Sequence, residues 1–140
     1  MADHSSCGWS IKQIHDALER QSNSMLQSQN LTMAQVSVLL TLEEAIDHQM
    51  PLKELEKELK LAQSTTTGIV SRLEQKGFVE SYTDAKDRRV KLIKLTQAGK
   101  DCCHTAEENM CHAEEALLRG LTETERQIFK TMLDRVRSTL

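Results

Sequence analysis

Aromatic residues make up only 3% of this 140-residue chain. That is too few for a stacking platform of the kind that grips single-stranded nucleic acid. There is one proline and five glycines, so the composition favours long helices over many turns. No apolar run approaches the roughly 20 residues of a membrane span, and the opening MADHSSCGWS has no hydrophobic signal region. This leads us to expect a cytoplasmic protein with no membrane partner. The four cysteines, Cys7, Cys102, Cys103 and Cys111, match no zinc-ribbon or CxxC spacing and read as reduced thiols. There is no internal repeat, low-complexity run or linker, and the chain reads as one folding unit.

Charge is unevenly spread. The net charge is −3 overall, but residues 51–95 hold 10 basic and 7 acidic side chains, whereas the flanking segments are both net acidic. The positive segment contains the most informative pattern, Leu61–Leu95. In its first half Ile69, Val70 and Leu73 fall on one helical side, with Ser64, Thr65, Thr67 and Ser71 on the other. Gly77 after Lys76 reads as a helix stop, with the cation where the macrodipole favours it. FVESYT, DAKDRR and VKLIKL then read as strand, charged tip and return strand. A helix with a small, polar outer face followed by a basic hairpin is a pattern suited to duplex nucleic acid.

The flanks read as helices. Residues 1–8 are small and polar, a frayed lead-in. From Trp9 to about Gln29 the apolar residues Ile11, Ile14, Leu18, Met25 and Leu26 are helical but sparse, which predicts a helix leaning on a partner surface. Thr32 and Gln35 form a capping box with Leu31 as its staple. The helix they open carries Val36, Leu39, Leu40 and Leu42 and fades at Asp47-His48-Gln49. Pro51 suits a first helical position, ahead of a short helix striped by Leu52, Leu55 and Leu59. With the link KLAQ and the polar-faced helix, this makes a helix-turn-helix. Thr96 to about Arg119 is a helix with a small-residue seam of Ala98, Cys102, Ala106, Ala113 and Ala116. A second capping box, Thr122 with Glu125, opens a closing helix striped by Ile128, Phe129, Met132, Leu133 and Val136. The terminal helices carry more apolar face than the central module can cover, which predicts a dimer.

In the order of its elements the chain resembles the MarR family of winged-helix regulators, over about Trp9 to Val136. The resemblance rests on LTMAQ (Leu31–Gln35), STTTGIVSRLEQKGFV (Ser64–Val79), DAKDRR (Asp84–Arg89) and Leu95-Thr96. It implies a mainly α fold: a winged helix-turn-helix over about 31–96, with a two-stranded β wing. Helices at about 9–30 and 97–138 would form the dimerisation region of a single MarR-type domain. It further implies a non-enzymatic homodimer on pseudo-palindromic double-stranded DNA, without a cofactor. The interface would comprise Ser64, Thr65, Thr66, Thr67, Gly68, Ser71 and Arg72 on the recognition helix. On the wing it would comprise Lys86, Asp87, Arg88 and Arg89, with Arg88 in the minor groove, Asp87 and Arg89 bracing it, and Asp84 as a further partner for the brace. Gly68 stands where many relatives carry a base-reading arginine, which moves weight from the helix to the wing. Its place in mid-helix suggests close packing or close backbone approach. Relatives often bind small aromatic or phenolic anions, for which Trp9, Ile14, Met25 and Leu39 are the candidate lining here.

Three other readings compete. Cys102, Cys103 and Cys111 suggest a thiol-based redox sensor. His104, Glu108, Cys111 and His112 share one broad helical face and suggest a metal sensor, against the plainer reading of surface histidines and Cys102 as a small core side chain. A winged helix that binds protein rather than DNA is the third. A cysteine enzyme, with Cys103 or Cys111 beside His104 or His112, lacks an oxyanion arrangement and an orienting third residue.

Overall fold

The computed structural model describes residues 4–140. Six α-helices and three short strands follow one another: α1 (Cys7–Ser28), α2 (Met33–Glu44), β1 (Gln49–Pro51), α3 (Leu52–Leu59), α4 (Gln63–Gln75), β2 (Val79–Thr83), β3 (Lys91–Leu95), α5 (Gln97–Leu117) and α6 (Glu123–Ser138). Residue contacts divide the chain after Glu107 into a winged unit and a second unit of Glu108–Leu140. No helix among the described residues is long and apolar enough to cross a membrane.

Local chemistry places most helix ends. Thr32 Oγ1 accepts the Gln35 N–H at 3.2 Å and Gln35 Oε1 accepts the Thr32 N–H at 3.1 Å, closing the capping box in both directions. Thr122 and Glu125 repeat it at 3.3 and 2.9 Å. Gly77 follows α4 at φ +78°, the left-handed position that ends a helix. At the N-terminus, α1 begins at Cys7 with Ser6 accepting the Trp9 N–H, two residues earlier than Trp9. The frayed lead-in is thus shorter than expected, and residues 1–3 lie outside the described set.

The core of the winged unit gathers every element but α1. Val38, Leu39 and Leu42 from α2 meet Leu55 from α3, Ile69, Val70 and Leu73 from α4, Val79, Ile93 and Leu95 from the strands, and Cys103 from α5. A second cluster joins Leu31, Val36 and Ala106, with Leu26 of α1 against it. The seam of α5 is therefore Gly99, Cys103 and Ala106, one position on from the Ala98 and Cys102 register expected; Ala98 is exposed. Gly99 sets that register. A Cβ there would stand 2.1 Å from the Phe78 carbonyl oxygen, so this turn of α5 packs directly on backbone.

The sheet has three antiparallel strands in the order β1-β3-β2, one more than the expected wing. α2 stops at Glu44, and a 3₁₀ turn over Ile46–His48 with positive φ at Asp47 and His48 reverses the chain. Gln49–Pro51 is thereby laid along Leu92–Lys94. Pro51 is the last residue of that edge strand and the N-cap of α3, rather than its first helical residue; lacking an N–H, it suits an edge.

Candidate nucleic-acid interface

α3 and α4 are joined by three residues, with Lys60 at φ +54° making the turn. At about 100° per residue, Thr66, Ile69, Val70 and Leu73 fall on the inner side of α4, and all four are buried. Ser64, Thr65, Thr67, Gly68, Ser71 and Arg72 occupy the opposite side and are exposed. The outer face is thus short hydroxyls, one bare backbone position and one guanidinium. Thr66 is a correction to the interface set. It is fully buried and its hydroxyl donates to the Ala62 carbonyl at 3.1 Å, so it packs the helix rather than reading a groove. Gly68 is a second correction: a Cβ there would meet nothing within 4 Å, so neither packing nor close backbone approach within the chain demands a glycine. One feature of α4 was not foreseen. Its N-cap is Ala62, which offers no side-chain oxygen, so its first-turn N–H groups are open to an anion.

The wing is held at tip and root. At the tip Asp84 N–H donates to the Val90 carbonyl and Val90 N–H to the Asp87 carbonyl, both at 3.0 Å. Asp84 Oδ1 accepts the Lys86 N–H at 2.9 Å, so it shapes the turn and does not pair with an arginine. Asp87 accepts the backbone N–H of Arg89 and also its guanidinium, from Nε at 3.1 Å and Nη2 at 3.3 Å. The hydrogen bonds from Arg89 hold the Asp87 carboxyl below its ordinary range. Arg88, between the two, makes no side-chain hydrogen bond or ion pair among the described residues. The brace therefore presents one free guanidinium at the wing tip, with Lys86 exposed beside it.

At the root, Thr96 Oγ1 donates to the Gly77 carbonyl at 2.6 Å and accepts the Gly99 N–H at 3.1 Å, while Thr96 N–H donates to the Phe78 carbonyl. Ser81 donates to Glu74 of α4, and Tyr82 donates to Gln49 of β1. These bonds tie the wing to α4, β1 and the start of α5. None of these ties was read from the sequence, although a threonine directly before a helical run is the usual capping signal.

The remaining candidate residues are dispersed. Leu39 is a core residue, buried among the helices and strands of the winged unit. Ile14 is exposed on α1, and Trp9 is half-buried with its ring edge-on to His4 at 4.6 Å. Met25 is half-buried further along α1. All four cysteines are free. Cys103, not Cys102, is the fully packed one. Burial, with Glu43, Cys102 and Glu107 nearby, pushes its thiol up to about 12, which removes it as a reactive thiolate. Burial also raises Cys102, with Lys76 opposing, while Cys111 is exposed. His104, Glu108, Cys111 and His112 do not converge as metal ligands; the group that does, among the described residues, is His15, Asp16 and Glu19 on the surface of α1.

This geometry, a hydroxyl-faced helix rigidly joined to a braced arginine wing, has parallels in known proteins. Residues 31–91 match the MarR family. E. coli MarR in its apo form superposes with a TM-score of 0.77, at 27% identity over 94% of this chain and 96% of that one.

Residues 31–91 form a MarR-family domain.

Further relatives are similar to this chain in sequence. The uncharacterized HTH-type transcriptional regulator YybA of Bacillus subtilis (strain 168) is 25% identical over 130 residues, 93% of this chain and 85% of its own length. YwhA of the same organism, likewise described as an uncharacterized HTH-type transcriptional regulator, is 30% identical over 82 residues. That match spans 59% of each protein, less than two thirds of YwhA. A cysteine-to-serine variant of E. coli MarR complexed with operator DNA is 28% identical, with a TM-score of 0.70 over 92% of this chain and 91% of that one. MarR-family chains are transcription regulators rather than enzymes, and this one has the family's mainly helical winged fold.

Proposed function

We propose that this MarR-family chain acts in the cytoplasm as a homodimeric transcription regulator, without catalytic activity, on a pseudo-palindromic DNA duplex. The observation that carries the reading is the free Arg88 guanidinium on a wing tied to the exposed hydroxyl face of α4. Ser64, Thr65, Thr67 and Ser71 contact phosphates and base edges in the major groove, and the uncapped start of α4 faces a phosphate. Arg88 enters the adjacent minor groove, where narrow A·T-rich segments attract a guanidinium. Arg72 and Lys86 add phosphate contacts, and Asp87 and Arg89 hold the wing. Gly68 contributes no side chain, so the helix docks and the wing discriminates. The operator-bound MarR variant supports this use of the fold.

The exposed apolar residues of the second unit, Met110, Leu117, Ile128, Met132, Leu133 and Val136, support a dimer that sets the two recognition helices about one DNA turn apart, roughly 34 Å. A small aromatic or phenolic effector shifts the dimer between spacings that fit successive grooves and spacings that do not. Trp9, Ile14 and Met25 remain available to it; Leu39 does not.

Fluorescence anisotropy on the duplex upstream of the protein's own gene tests the reading. Wild type binds with affinity that falls steeply as salt rises, and Arg88→Glu weakens binding by at least about tenfold. An Arg88→Glu protein that binds as wild type does, or a wild type that binds no duplex, overturns it.

A further inference from the structure

Two helices of the winged unit end at one cation. α1 closes in a Schellman turn, with Asn30 at φ +55°. The Asn30 N–H donates to the Gln27 carbonyl at 3.1 Å and the Leu31 N–H to the Leu26 carbonyl at 2.9 Å. The last turn of α1 holds no basic residue, although the macrodipole favours one there. The cation comes from another helix. Lys76, the C-cap of α4, donates from Nζ to the Asn30 carbonyl and, at 3.4 Å, to Gln35 Oε1. Gln35 is buried, and the same oxygen accepts the Thr32 N–H that closes the cap of α2. One half-buried side chain thus reaches the end of α1 and the start of α2 from 46 and 41 residues away.

α1 leans on little else among the described residues. It runs for 22 residues with none buried, and it meets the core clusters through Leu26. Packing is what normally holds a helix in place; here it is confined to the last turn, where Lys76 is also fastened. On its other side Lys76 is continuous with the elements of the candidate interface. Ser71 and Arg72 precede it on α4, and Gly77 follows, its carbonyl taking the Thr96 hydroxyl at the root of the wing. We infer that Lys76 is a positioning residue. It anchors the end of α1 to the end of α4, and through that anchor the placement of α1 sets the placement of the recognition helix and wing on DNA. The positioning role rests on the proposed DNA reading; the anchor does not. Because its ammonium is turned into the helix junction, Lys76 neutralises no phosphate, unlike Arg72 and Lys86.

Lys76→Met keeps the aliphatic stem and removes the three donors. Amide hydrogen exchange followed by NMR on the full chain tests the anchor. In the variant the amides of Asn30, Leu31 and Thr32 exchange about fivefold faster than in wild type, the equivalent of one ordinary hydrogen bond. The amide of Glu125, in the matching capping box of the second unit, keeps its wild-type rate. Unchanged exchange at the α1 turn, or equal acceleration at Glu125, overturns the anchor.

Fluorescence anisotropy on the duplex upstream of the protein's own gene tests the positioning role. Lys76→Met weakens binding about fivefold, while the slope of log affinity against log salt stays that of wild type. Loss of a phosphate contact lowers that slope by about one. Wild-type affinity in the variant, or a slope lowered by about one, overturns positioning. A wild type that binds no duplex overturns the operator reading and positioning together, and the exchange rates then decide the anchor by themselves.

Discussion

The two units of this chain are built from similar helices and satisfy them in opposite ways. The winged unit closes on itself: Leu42, Leu55, Leu73 and Ile93 are fully buried within one chain. In the second unit no described residue is buried, and Met132 and Val136 are 57% and 53% exposed. Yet α6 is as well specified locally as α2, with the same capping box, acidic residues in its first turn and arginines in its last. Good local signals make a helix, and burial decides whether it stands alone. The winged unit holds its core within one chain. The second unit presents a stripe that calls for another surface, with a cleft lined by Leu117, Phe129 and Leu133 among charged residues of α5 and α6.

Substitutions at equivalent chemistry in the two units sharpen that contrast. The largest effect is expected from Ile93→Ala, a core truncation at the middle of the sheet. It lowers the unfolding free energy by about 2–5 kcal/mol, measured by denaturant titration, and does so equally at low and high protein concentration. Leu133→Asp with Val136→Asp, in contrast, acts through concentration. Sedimentation velocity is expected to show dissociation at concentrations where wild type sediments as the proposed dimer, a weakening of roughly 100-fold or about 3 kcal/mol. Equal sedimentation of the two proteins breaks the comparison, because the exposed stripe then needs no partner. Gly99→Ala drives a methyl into the Phe78 carbonyl and costs about 1–3 kcal/mol; calorimetry shows a lower Tm, whereas Gly68→Ala, in open space, is neutral or stabilising. The smallest pair is Thr32→Ala and Thr122→Ala, each removing one cap and each costing about 1 kcal/mol. Similar losses in both units confirm that capping is local; a much larger loss at Thr32 shows that the staple Leu31, buried at the same turn, is released with it.

Much of the fold was legible because its signals were local. Both capping boxes, the glycine stop after α4 and the strand-tip-strand wing follow from side-chain chemistry within a few residues. What escaped depended on partners distant in sequence. β1 is three residues long and exists because Asp47 and His48 adopt left-handed backbone that lays it on β3; read alone, Pro51 signals a helix start. The register of α5 turns on the Phe78 carbonyl, which favours Gly99 over Ala98. Thr66 was within reach: positions 66, 69, 70 and 73 share one helical side, and the polarity of the side chain masked its place in the apolar stripe. The interface divides similarly. The identity of the wing tip lay in DAKDRR, but the freedom of Arg88 shows only once Asp87 is seen to engage Arg89 alone.

Thr96 is the single residue between β3 and α5. With its hydroxyl bonded on both sides, it leaves no slack in which a displacement of the helix can dissipate. The strand and the first turns of α5 therefore behave as a rigid lever with its fulcrum at the Gly77 carbonyl. Five residues of strand give an arm of about 16 Å, so a tilt of about 10° in the start of α5 carries the far end of β3 by about 3 Å. A displacement of that size exceeds the tolerance of a hydrogen bond. On the proposed reading, the minor-groove grip of Arg88 is geared, in mechanical terms, to the start of α5, and turning that helix releases it.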